Sequence, residues 1–146
     1  MKVLLPLVLM LLTVQEQWFE IMKADLDQKR PEMHLDERLM KAADFKARLI
    51  AEAGIIDHCI NGYCPNRMIK DFGCKTKYGD DGNQVESITV GHKFVSDAYY
   101  SLKNSPSHRD HILGENFFKE QDEIGIGYYE YGNNYYYVFI SANCEE

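Results

Sequence analysis

Three side chains able to hold a metal ion or move a proton stand at the edges of separate segments: His58, Glu86 and His108. His58 lies just past an amphipathic stretch, Glu86 sits in an extended segment between Val85 and Ile88, and His108 follows a Ser105-Pro106 pair that reads as the start of a short helix. Two imidazoles and a carboxylate are the donor types of a divalent-cation site, zinc above all, and equally the parts of a proton-transfer pair. A position in the first turn of a helix disfavours imidazolium, and neutral imidazole is the form that binds metal. His111, three residues after His108 on the same helical face, makes a rival metal pair. His34 and His92 have no such context and are expected to be solvated.

The elements that carry these residues follow from periodicity. An amphipathic helix is expected over residues 17–28, ending before Pro31. A stronger one runs from about Asp36 to Ala53, with Leu39, Ala42, Ala43, Leu49, Ile50 and Ala53 on its apolar face, Asp36 as N-cap and Gly54 as C-cap. Residues 57–86 are rich in turn formers and read as a stapled loop region. A third helix is expected over Gly91–Lys103 and a short one from Ser105 to Gly114. The period then changes to two. Ile124, Ile126 and Tyr128 alternate with Gly125, Gly127 and Tyr129, and Tyr135–Ile140 is β-branched and aromatic, so the two runs form an antiparallel hairpin about Gly132-Asn133. The tyrosines between 128 and 137 are read as the half-buried face of that sheet, ahead of a carbohydrate platform.

Cys59, Cys64, Cys74 and Cys144 make an even count. In an oxidising compartment they are disulfide candidates, with at least one bridge stapling the 57–86 region and Cys144 available to tie the carboxy-terminal end to it. A thiolate zinc site is the competing reading, and the spacing lacks paired C-x-x-C geometry. Residues 3–14 are apolar apart from Thr13, follow Lys2, and are too few to span a bilayer. They read as a secretory signal peptide over residues 1–16, without an A-x-A cleavage pattern, ahead of one domain over 17–146. Secretion, or a periplasmic location, and no membrane span after cleavage are the corresponding expectations. A net charge of -7 repels a phosphate backbone, so nucleic acid is excluded as a partner.

Taken in order, these pieces resemble the CAP superfamily, that is the cysteine-rich secretory, antigen 5 and pathogenesis-related proteins, or SCP domain, in its short secreted bacterial-type form. The resemblance spans about residues 17–142. It rests on the helix from Leu39 through Ala53, His58, Arg67-Met68 leading to Gly73, and Val85-Glu86-Ser87-Ile88, where the family has Gly-Glu-Asn and an aliphatic residue. The most specific piece is Ser105 to Leu113, similar to the family's Ser-Pro-Gly-His-Arg-x-Asn-Ile-Leu with Ser107 for Gly and His111 for Asn. Gly114-Glu115-Asn116 lies on the wrong side of that segment, and Gly114 is read as its helix end. The resemblance implies an α+β fold, a three-layer α-β-α sandwich with a small mostly antiparallel sheet, and a cleft lined by His58, Glu86 and His108. The family's second cleft glutamate has no counterpart here, and Leu102 stands at its usual tryptophan. The function so implied is extracellular binding of a protein, lipid or small ligand, with a divalent cation, zinc, as the only cofactor. A zinc-dependent peptidase or esterase with Glu86 as general base is the alternative, and the ligand count favours binding over catalysis.

Overall fold

A computed structural model of the chain describes residues 11–145. Most of the expected signal peptide therefore lies outside the described residues. Helix α1 spans Val14–Ala24, so the expected boundary at residue 16 falls inside it. Thr13 opens α1 with a reciprocal capping box: its hydroxyl accepts from the Glu16 N–H at 3.1 Å while the Glu16 carboxylate accepts from the Thr13 N–H at 3.3 Å. The helix stops at Ala24, earlier than the periodicity suggests, because the next residue, Asp25, is held by Tyr99 and Lys103.

Strand β1 (His34–Leu35) leads into α2 (Glu37–Ala53), which starts and ends at the expected caps, Asp36 and a left-handed Gly54. Its buried face is Leu39, Ala42, Ala43, Lys46, Ala47, Ile50 and Ala51, whereas Ala53 is exposed. The region read as a loop contains a helix of its own, α3 (Pro65–Asp71), with Pro65 in its first turn. Disulfides Cys59–Cys64 and Cys74–Cys144 flank α3, and among the described residues no free cysteine is left to make a thiolate metal site. Strand β2 (Glu86–Val90), α4 (Val95–Lys103) and α5 (Arg109–Leu113) follow. Both helices are shorter than expected. Gly91, with φ of 99°, turns the chain before α4, and residues 105–108 form a turn in which the Ser105 hydroxyl faces the His108 ring and makes no cap bond. A 3₁₀ turn (Asn116–Glu120) precedes the hairpin of β3 (Glu123–Tyr131) and β4 (Asn134–Ala142).

The sheet order is β1-β3-β4-β2; β1 lies parallel to β3 and the other neighbours are antiparallel. Successive strand residues point to opposite faces. On one face Val138, Ile140 and Ala142 pack beneath α2 and α3; on the other Ile124, Ile126, Tyr137 and Phe139 pack against Trp18 and Met22 of α1 and Tyr99 and Leu102 of α4. Helices thus cover both faces, giving the expected α+β three-layer sandwich. Of the hairpin tyrosines, Tyr137 is buried, Tyr128, Tyr129, Tyr135 and Tyr136 are half-buried, and Tyr131 is exposed. Among the described residues no helix is long and apolar enough to cross a membrane.

Candidate functional site

The architecture sets the cleft at the start of β2, the edge strand. Glu86 and Ser87 are consecutive strand residues and face opposite layers, Glu86 toward α2 and Ser87 toward α5. A pocket of about 250 Å³ wraps this strand end, lined by His58, Glu86, Ser87, Ser107, His108 and His111 with their neighbours. The structure therefore brings His58, Glu86 and His108, far apart in the chain, to one cleft. Asn83 fixes the backbone of the middle one: its Oδ1 accepts from the N–H groups of Val85 and Glu86, and its Nδ2 donates to the Glu86 carbonyl.

The Glu86 side chain is 0% exposed, and its Oε1 lies 2.9 Å from His58 Nδ1. A carboxylate only accepts, so Nδ1 carries the hydrogen and a neutral His58 keeps its lone pair on Nε2. His108 Nδ1 lies 2.8 Å from Ser105 Oγ and 3.2 Å from Ser107 Oγ, again leaving Nε2 as the free nitrogen. Burial, and then the neighbouring His58, hold His108 below the usual imidazole pKa, so the form with a lone pair prevails near neutrality. Glu86 thus stands behind His58 as the group that orients it.

Lys46 is the member of the site that sequence reading missed. It lies on α2 with its side chain 1% exposed and its Nζ 3.5 Å from Glu86 Oε1, and it also donates to the His58 carbonyl. The signal was present in the spacing: 39, 42, 43, 46 and 50 are one helical stripe, and a lysine in such a stripe requires a buried partner. Oε2 of Glu86 has no hydrogen-bond partner among the described residues.

A closed zinc site needs four donors. Among the described residues the one group of three ligand-type side chains with donor atoms within 4.8 Å of one another is Cys74, Glu123 and Cys144, and its two sulfurs are joined to each other. His58, Glu86 and His108 do not meet that distance. Nε2 of His58 and Nε2 of His108 are the imidazole nitrogens in the cleft that no hydrogen bond engages among the described residues, and two such donors fall short of a closed structural zinc site.

The model of the cysteine-rich secretory protein family, CAP, matches residues 27–143. This chain belongs to the CAP family. No curated protein sequence matches it significantly. Among solved structures, the CAP domain described here is similar to an outer surface protein from Borrelia burgdorferi, at 22% identity and a TM-score of 0.65, covering 86% of this chain and 89% of that one. It is also similar to an extracellular protein containing an SCP domain from Bacillus anthracis, at 14% identity and a TM-score of 0.57, covering 89% of this chain and 40% of that one. Both likenesses are of fold.

Two departures of this CAP domain from the family pattern, Ser87 and His111, touch each other: Ser87 Oγ lies 2.6 Å from His111 Nδ1. The proton order around them is determined. Gln121 Nε2 donates to the Gln84 carbonyl, so its Oε1 faces Ser141, whose hydroxyl donates to it at 2.7 Å. Arg30, buried and pulled down to about 10 by desolvation yet still charged, donates to the same Ser141 Oγ. Ser141, its one hydrogen spent, accepts from His111 Nε2–H at 2.8 Å, and His111 Nδ1 accepts from Ser87. Both nitrogens of His111 are thus occupied, which removes it as a rival metal ligand beside His108.

Burial, with Arg30 nearby, drives His111 well below its ordinary 6.5. The unfolded chain binds that proton near pH 6.5 and the native state refuses it, so the stability His111 contributes is complete above 6.5 and is lost as pH falls. The expected loss is up to about 1.4 kcal/mol per pH unit. Urea unfolding of wild type and His111→Asn at pH 7, 6 and 5 reads it: the variant has the shallower dependence, and parallel slopes would refute the assignment.

Proposed function

We propose that this CAP domain is an extracellular binding module whose cleft takes up a divalent cation, zinc by ligand type, on His58 and His108, and presents it to an extracellular protein, lipid or small ligand. The observation that carries the reading is the 2.9 Å contact from His58 Nδ1 to the buried Glu86 carboxylate, because this carboxylate–histidine pairing orients an imidazole for metal. The extracellular assignment draws on the two disulfides, which form in oxidising compartments, and on the outer-surface and extracellular proteins it resembles in fold. Against the hydrolase alternative stands the occupation of Glu86. Its Oε1 is engaged by His58 and Lys46, and its unpartnered Oε2 belongs to a side chain with no solvent exposure, so neither oxygen is placed to take a proton from a cleft water.

Zinc titration by calorimetry tests the reading on wild type, His58→Ala, His108→Ala and Glu86→Ala. Either histidine variant is expected to lose the binding heat, and Glu86→Ala to weaken affinity by about 10- to 100-fold through loss of the orienting partner. Equal heats in all four proteins would discard the cation site.

A further inference from the structure

We propose that Lys46 is a tethered counter-ion that occupies the charge of the cleft carboxylate and so holds the domain's divalent-cation affinity low, making the ion exchangeable. This inference rests on the cation reading of the cleft and adds the residue that sets its strength. Lys46 occupies an inward position of α2 that its neighbours fill with Leu39, Ala42, Ala43 and Ile50. Burying an ammonium costs several kcal/mol unless it is paired. Among the described residues its one carboxylate partner is Glu86, whose side chain is as buried as its own.

Placed there, the ammonium acts on both parts of the site. Through Oε1 it shares the oxygen that orients His58, and through the His58 carbonyl it grips the backbone of the same residue. The ammonium offsets the charge of the carboxylate, so an arriving dication meets the two imidazoles with an ion pair behind them in place of a free carboxylate. Lys46 and Glu86 are both buried, so this offset is screened much less than one between surface charges. Without the ammonium, the full charge of Glu86 would act through His58 on the metal and make the imidazole a stronger donor. The unpartnered Oε2 marks the same deficit: one oxygen is engaged by internal partners and the other has none.

Zinc binding to the full chain, measured by calorimetry, tests the assignment with Lys46→Gln, which keeps a hydrogen-bond donor and removes the charge, and with Lys46→Gln/Glu86→Gln. Lys46→Gln is expected to bind zinc at least about tenfold more tightly, the size of outer-sphere effects on metal affinity. The double variant returns to the wild-type affinity. Unchanged affinity in Lys46→Gln, or a gain that survives Glu86→Gln, overturns the proposal. If Lys46→Gln or Lys46→Met loses its far-ultraviolet circular dichroism, added zinc must restore it by replacing the missing positive charge, and failure to do so overturns the proposal equally. The two readings fail separately. Binding by Lys46→Gln without binding by wild type removes the ion from the native cleft and keeps the role of Lys46; equal binding by both does the reverse.

Discussion

Alanine at Gly127 is expected to destabilise this domain by about 3 kcal/mol or more, at the upper end of what overpacking costs. A Cβ on Gly127 would lie 2.1 Å from the Ala43 carbonyl oxygen and 2.2 Å from its carbon; on Gly125 it would lie 2.3 Å from the Leu39 carbonyl oxygen. These are backbone atoms of α2, so no side chain can turn aside and the whole helix must lift from β3. The two glycines, with Ala42, Ala43 and Ala47 opposite, let helix and sheet backbones approach more closely than any larger pair allows. Lifting α2 also moves Lys46 from Glu86, so the cleft changes together with stability. For a chain of this size the loss corresponds to a Tm lower by about 10 °C. Gly79→Ala is the control, since a Cβ there meets nothing within 4 Å and its φ is not positive. A Gly127→Ala protein that melts with the control would mean that the α2–β3 contact is not a backbone contact.

That contact was half legible in the sequence. The alternation of Gly125 and Gly127 with Ile124 and Ile126 showed a strand, and the caps Asp36 and Gly54 bounded α2 where the helix occurs, because both are local signals. The face opposite the isoleucines was not readable, since what a glycine admits is known only once a helix lies on it. Other boundaries were set by tertiary partners that periodicity does not see: Asp25 is held by Tyr99 and Lys103, and Ser105 turns its hydroxyl to His108. Helix α3 is too short for a periodic signal, and Pro65 was its one local mark.

The cleft divides in the same way. Nothing in the spacing of His58, Glu86 and His108 makes them meet. They converge because β2 joins the sheet beside β4, placing the start of an edge strand between the loop after α2 and the turn before α5. The family pattern supplied that juxtaposition. It did not supply what this chain does differently. Lys46 was visible as a lysine in an apolar stripe, and Ser87 and His111 as two unrelated departures, yet the hydrogen bond that joins those two required coordinates.

The two disulfides separate stability from site, and their removal should show it. Cys74–Cys144 joins residues 70 apart in the chain, whereas Cys59–Cys64 joins residues 5 apart. In the chain-entropy account the longer closure contributes about 4 kcal/mol and the shorter about 2 kcal/mol. Cys74 is wholly buried in the core beneath α2 and α3, so serine there also leaves a hydroxyl in an apolar setting. Cys59, in contrast, follows His58 directly, and its bridge closes the tight Ile60–Tyr63 turn that anchors the chain beyond that ring. The expected result is therefore crossed. Cys74→Ser/Cys144→Ser loses about 4 kcal/mol in urea unfolding and, while folded, binds zinc as wild type does. Cys59→Ser/Cys64→Ser loses about half as much and binds zinc more weakly, because His58 is no longer held at the distance Glu86 requires. The opposite order of stabilities, or a zinc affinity that follows the long bridge and ignores the short one, would show that His58 is positioned by the core and not by its own loop.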